Sequence, residues 1–365
     1  MKAAPFTLVF LVPFSVVIGT VLGGWFNLLT PFSVFIAVPL VDLVVGAYTA
    51  NPVAMEEPSL ERQKSFRIIT WACVPVTIGL IMWGMFRVAA RSATMAWWEM
   101  LLFMFSTGVS TGIVGINVSH ELQHRVNNKF EPALARLLLL FTLYMHWAIE
   151  HLIGHHRWVA TPVDPATAPR GQSIYRFWWR TVFGGLKSAW KIEQVRITRL
   201  KRYRLAFLRN RVLGYFLLEM ALIASIWYFL GIITLGYFIG QSIVAISLLE
   251  VINYIEHYGL LRHRLADGTY EPVKPVHSWN SSNRVTNYFL FNLQRHSDHH
   301  FKPGRRYQLL RHFDESPQLP TGYGGMVVLA LVPPLYKHVM EKRIPQEMKR
   351  ESEGSRFPGS SHGKI

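Results

Sequence analysis

A single cysteine, Cys73, stands in 365 residues. It excludes an intrachain disulfide and any cluster of thiolate ligands, including a four-cysteine iron site. In its apolar setting Cys73 reads as a small hydrophobe inside a helix. Charge is scarce too: 16% of the residues are Asp, Glu, Lys or Arg, against about 25% in a soluble chain. With half the residues hydrophobic, disorder is excluded over most of the length and a membrane protein is indicated. The acidic residues number only 22 against 38 basic ones, for a net charge of +16. No nucleic-acid-reading motif accompanies that charge, so no nucleic-acid partner is expected. The cations cluster instead. Thirty-two of the 38 lie between Asn117 and Arg211 or after Ile252, and the same stretches hold all 15 histidines. The positive-inside rule puts both stretches on the cytoplasmic side.

Six segments are apolar enough to cross a bilayer, which takes about 20 residues of helix. They run from Phe6 to Trp25, Pro31 to Ala50, Ile68 to Phe86 and Ala96 to Asn117, with a fifth and sixth inside Val212 to Asn253 around a turn near Gly231 and Gly236. Lys2 before an apolar run imitates a signal peptide. No small-residue cleavage site closes the run and a second apolar segment follows, so it reads as the first span. Six spans place both termini on one side, and the last hairpin returns the chain to the face it left. Pro132 to Ala148 is too short and too polar to span and reads as a buried or half-inserted helix. Val327 to Leu335, interrupted by Pro333 and Pro334, dips into the interface. The expected fold is all-α and polytopic. One membrane-embedded domain covers residues 1–341, and a polar tail without chemistry, expected to be disordered, covers 342–365.

Nine histidines form a pattern. His120 and His124 follow the fourth span at i,i+4, a spacing that sets two imidazoles on one helix face with Cβ atoms about 5–6 Å apart. His151 and His155 repeat it and add His156, and His296, His299 and His300 give i, i+3 and i+4. His257 lies just beyond the sixth span. Crowded imidazoles without a metal would suffer desolvation and mutual repulsion on protonation; a metal takes up the lone pairs. His120-Glu-Leu-Gln-His124 also matches a zinc-protease pattern, but a catalytic zinc needs three protein ligands, and nine histidines suit two metals. Imidazole ligation alone fits zinc, copper, iron and nickel alike. A polytopic metal transporter would carry its ligands in mid-span, whereas these sit at span ends.

These residues resemble the membrane-bound alkane 1-monooxygenases, within the integral-membrane fatty acid hydroxylase and desaturase superfamily. The resemblance rests on the three histidine boxes and on Asn253-Tyr-Ile-Glu-His-Tyr-Gly-Leu260, Leu293-Gln-Arg-His-Ser-Asp-His-His300, Val159-Ala-Thr-Pro-Val-Asp-Pro-Ala166, His277-Ser-Trp-Asn-Ser281 and Leu319-Pro-Thr-Gly-Tyr323. It covers roughly Asn117 to Leu335. Arg125 stands where the family usually has Lys, and Leu152 and Ile153 make the second box unusually apolar.

The resemblance implies two non-haem irons held by His120, His124, His151, His155, His156, His257, His296, His299 and His300. It implies O2-dependent hydroxylation of the terminal carbon of an n-alkane or similar chain, with electrons from rubredoxin and its reductase, in a bacterial inner membrane. A fatty-acyl desaturase and an arene (xylene-type) side-chain hydroxylase share the boxes; the His257 motif favours hydroxylation. Glu121, Glu150, Asp164, Glu256 and Asp298 are candidates to accept a ligand histidine's free N–H, with salt bridges to Arg125, Arg157 or Arg295 as the competing role. His277 and His312 are further candidates beside the site or facing the donor. His146, His263, His338 and His362 read as ordinary polar residues. Trp25, Trp71, Phe103 and Phe105 are candidates for a substrate channel, competing with lipid contact and packing. The basic face suits an acidic donor as well as anionic lipid, and Arg305 and Arg306 lie close after the last box.

Overall fold

The computed structural model describes residues 2–199 and 206–354. All the regular elements among these residues are helices, with only isolated bridges between extended residues. Helices α1 (Ala4–Leu22), α2 (Gly24–Val45), α3 (Glu57–Arg91) and α4 (Trp97–Gln123) are each long and apolar enough to span a membrane. The first turn comes earlier than the expected Phe26 to Thr30. It falls at Gly23, whose φ of 75° suits a glycine. Gly19 permits the tight return: a Cβ there would stand 2.3 Å from the Phe26 carbonyl oxygen.

Beyond α4 come α5 (Phe130–Leu140), α6 (147–158) and α7 (Ile174–Thr198). The expected helix over Pro132 to Ala148 is therefore shorter and stops at Leu140. The turn after it contains Leu143 at φ 55°, and Ser119 ties the helix to α4 by donating to the Ala135 carbonyl at 3.1 Å.

Helix α8 (Arg211–His257) is the fifth long apolar element. It is interrupted at Gly231, with φ 82° and ψ 171°, and there it folds back. A straight helix would put Glu219 and Glu250 about 46 Å apart at about 1.5 Å per residue. Yet adjacent residues hold both: the Met145 amide donates to Glu219 at 2.8 Å and the Tyr144 hydroxyl to Glu250 at 2.7 Å.

The remaining helices are α9 (Arg284–Phe289), α10 (His296–Phe301), α11 (Tyr323–Ala330), α12 (Pro333–Glu341) and α13 (Gln346–Gly354). Asp42, buried in α2, accepts the Val285 amide at 2.7 Å, the Thr286 amide at 3.0 Å and the Thr286 hydroxyl. It thus caps the start of α9 from another element. Helix α13 lies within the stretch expected to be disordered; Ile344 and Met348 are buried in the core cluster around Tyr254, Tyr258 and Tyr336 and draw the chain back to the body. Residues 355–365, with His362, lie outside the described residues.

Candidate metal centre

Four elements deliver the nine histidines to one place. His120 occupies the last turn of α4 and His124 its C-cap. Directly before them, Thr111–Ile116 is π-helical. One extra residue in a turn advances the face by about 100°, so that turn helps set the direction of His120. Helix α6 is π-helical over Glu150–His155 and carries His151, His155 and His156. His257 ends α8. His296, His299 and His300 ride on α10, which follows Phe291 and Asn292 at φ 53° and 56°. Two consecutive non-glycine residues in that region store strain, and tertiary bonds hold it. The Asn292 amide donates to the Asn287 carbonyl at 2.8 Å and its side chain to the Tyr307 carbonyl at 2.9 Å.

The imidazoles fall into two groups, His120, His124, His151, His156 and His299, and His155, His257, His296 and His300. Within each, one nitrogen per ring lies within 4.8 Å of all the others. The Nε2 atoms face one another at 3.2 Å (His124–His151), 3.1 Å (His151–His156), 3.1 Å (His156–His299), 3.2 Å (His155–His300) and 3.3 Å (His257–His296). For a metal–imidazole bond of about 2.1 Å, these separations subtend roughly 95–105° at a metal, between octahedral and tetrahedral edges. Only one nitrogen of each facing pair can carry a proton. Burial, aided by neighbouring imidazoles, holds His124, His151, His156, His296, His299 and His300 well below the usual histidine range, hence neutral. Converging neutral lone pairs in a dry site fit metal ions. Without carboxylate or thiolate in either group, the set suits a non-haem transition metal.

Of the five candidate carboxylates, Asp164 bonds a histidine. Its Oδ2 accepts His155 Nδ1–H at 2.9 Å and the Thr167 hydroxyl at 2.6 Å, and its Oδ1 accepts the Ala166 amide at 3.0 Å. Burial alone would raise its pKa, but the His155 ring and these donors bring it below the ordinary value. This explains the 159–166 motif as the loop that holds His155. Glu256 stands 3.1 Å from His296 Nδ1, off the line of a hydrogen bond, rather than against His257, its neighbour in sequence. The Tyr323 hydroxyl donates to Glu256 at 2.6 Å.

The other three hydrogen-bond no histidine. Glu121 pairs with Arg125 at 2.8 Å, and Asp298 with Arg305 at 2.6 Å. Glu150 is buried against α7, its carboxyl raised well above the usual range first by burial and then by Asp164 and Glu250, so it is held protonated. His277 and His312 lie outside both groups, in loop networks with Glu271 and with Ser282 and Asp314. His146 is half-buried in the turn before α6; desolvation lowers it to about 4, and its ring packs on Tyr144. His338 meets Lys342 at 2.9 Å. Arg305 and Arg306 are poor docking candidates, since Arg306 pairs with buried Glu131 and Arg305 with Asp298.

A cavity of about 100 Å³ has His120, His151 and His296 in its wall. Apolar residues of α2, α4, α8, α9 and α11 line it, among them Val38, Ile113, Ile116, Leu248 and Val327. None of Trp25, Trp71, Phe103 and Phe105 does. Trp25 stacks on Trp98, Trp71 donates to Glu131, Phe103 packs on Tyr237 and Phe105 is partly exposed. Trp147, which sequence periodicity does not single out, lines the cavity and packs its indole on His151 at 4.5 Å between centroids.

The sequence model of the fatty acid desaturase family matches residues 95–329. The chain is 42% identical to alkane 1-monooxygenase 2 of Pseudomonas aeruginosa over 85% of its own length and 82% of the relative's. It is 40% identical to alkane 1-monooxygenase of Acinetobacter baylyi over 88% and 78%. It is 41% identical to alkane 1-monooxygenase 1 of Pseudomonas aeruginosa over 90% and 88%.

Proposed function

The chain belongs to the alkane 1-monooxygenases within the fatty acid desaturase family, and from that premise we propose that it hydroxylates the terminal carbon of n-alkanes or similar alkyl chains at a non-haem di-iron centre. The observation that carries this reading is a mostly apolar cavity lined in part by imidazoles of both histidine groups. One iron is assigned to His120, His124, His151, His156 and His299, and the other to His155, His257, His296 and His300.

An alkyl C–H bond offers no acid, carbonyl or leaving group, so side chains alone cannot attack it; bound iron supplies the activation of O2. The protein's own residues prepare the site. The cavity wall excludes water and lets an unbranched chain end at the histidines. Asp164 fixes the His155 tautomer so that Nε2 keeps its lone pair. Tyr323 holds the Glu256 carboxylate beside His296, and Trp147 limits the tilt of His151.

The two arms of α8 each cross the membrane, which makes six spans. Both termini and the metal centre face the cytoplasm of a bacterial inner membrane, and residues 1–341 form one membrane-embedded unit. The gathering of 32 of 38 cations supports that orientation. Electrons come from outside the chain, from rubredoxin and its reductase, whose acidic surface the basic face attracts. The test supplies n-alkanes, fatty acyl chains and toluene to cells expressing the protein. Primary alcohols from alkanes are expected; alkenes, or benzyl alcohol alone, overturn the assignment.

A further inference from the structure

Helix α7 carries a pattern that the oxidation chemistry does not use. At about 100° per residue, Tyr175, Leu186, Trp179, Trp190 and Phe183 fall within an arc of about 80°, and all are exposed: Trp179 61%, Phe183 59%, Tyr175 58%. Arg176, Lys187, Arg180 and Lys191 occupy the adjoining arc of about 60°. Phe177, Thr181, Gly185 and Ala189 form the buried face against the protein. An aromatic stripe this long in water is an aggregation hazard. Beside a row of cations it has the make-up of a helix lying in a membrane interface, its apolar side about 5–10 Å into the headgroup boundary.

Next to the stripe is a groove between α7 and the first turns of α8, lined by Phe183, Leu186, Trp190 and Phe216 with Lys187 and Lys191 at its edge. The junction is fixed by buried Glu193, which pairs with Arg196 at 2.7 Å and Arg211 at 2.6 Å. Those two arginines are thereby spent on the fold. Lys187 and Lys191 have no ion-pair partner among the described residues. One turn apart, their ammonium groups can bracket a single phosphate.

We propose that this groove binds one anionic phospholipid, its acyl chain along Phe183, Trp190 and Phe216 and its phosphate on Lys187 and Lys191. The proposal rests on the membrane-spanning reading of α8, because only then does the groove lie at headgroup height. The charge pair selects an anionic over a zwitterionic lipid, and the apolar wall a lipid over free phosphate.

The purified full chain is titrated with dioleoyl phosphatidylglycerol, with dioleoyl phosphatidylcholine and inorganic phosphate as references, and bound lipid is counted by native mass spectrometry. Lys187→Gln/Lys191→Gln should weaken the tightest phosphatidylglycerol site roughly 30-fold, from the strength of lysine–anionic lipid contacts. Lys187→Arg/Lys191→Arg should keep it, as should Lys64→Gln/Lys129→Gln elsewhere on the surface. Equal phosphatidylglycerol binding by the wild type and the Gln pair overturns the proposal while leaving the spanning reading intact. So does a raised donor KM with lipid binding unchanged, which would make this a protein-docking surface. Extraction of the chain from membranes by carbonate fails the spanning reading itself.

Discussion

Asp164→Asn separates the two histidine groups. Asp164 is buried and holds His155 Nδ1–H at 2.9 Å, while Thr167 and the Ala166 amide occupy its other lone pairs. Asparagine keeps the shape and most of these contacts but removes the charge. A hydrogen bond to a charged group contributes about 1.5–3 kcal/mol, and loss of such a support typically costs 10–100-fold in metal affinity or activity. His155 belongs to the four-histidine group, which has no fifth imidazole to compensate. The variant should therefore weaken that metal 10–100-fold and leave the five-histidine group filled. The assay is iron content by elemental analysis during graded chelation, with Mössbauer spectra to follow each iron. One iron should leave well before the other in the variant, with the folded chain retained as judged by thermal unfolding. Loss of both irons together, or release curves identical to the wild type, would refute the assignment of Asp164 and the division into two groups.

His257→Ala should abolish turnover, because His257 is one of only four imidazoles in its group; His338→Ala, whose ring meets Lys342 outside both groups, should retain near-normal activity in the same product assay. Six imidazoles are held neutral by burial, so the metal-free fold binds fewer protons than the unfolded chain as pH falls below about 6.5; that contribution to stability is present above this pH and lost below it. The unfolding midpoint of metal-free protein should fall between about pH 7.5 and pH 5.5, and a flat profile contradicts the neutral assignment. Turnover limited by the donor should show a rising rubredoxin KM as the Debye length shrinks from about 10 Å at 0.1 M salt to about 3 Å at 1 M; an unchanged KM means that the positive charge serves topology and lipid.

The histidines were legible because helical spacing carries over directly to a shared face: His120 with His124, and His296 with His299 and His300. Their division into two groups was not, since His155 and His156, adjacent in sequence, point into different groups. Among the carboxylates, proximity in sequence misled. Glu121, Glu150 and Asp298 adjoin histidines of the two groups, yet two of them find arginines and one is buried as an acid. The loop geometry that lets Asp164 reach back nine residues to His155 depends on Thr167 and on Ala160 at φ 57°, which hydropathy cannot register. The first four long apolar helices differ from the expected spans by several residues at their ends, because the apolar run does not mark where capping and turn geometry end a helix. The cavity wall is not legible in the sequence because its apolar side chains come from seven helices, α1, α2, α4, α6, α8, α9 and α11, each unremarkable in periodicity. Asp42, a lone charge in an apolar run, gave no sign that it caps α9.

In the proposed reaction nine histidines hold two irons that place an oxygen atom from O2 on an alkyl chain. Turnover of n-octane under 18O2, on protein whose iron content has been measured, tests it most directly. Two irons per chain and 1-octanol carrying one 18O atom are expected. A single metal in active protein, 1-octanol with unlabelled oxygen, or an alkene in its place would contradict it.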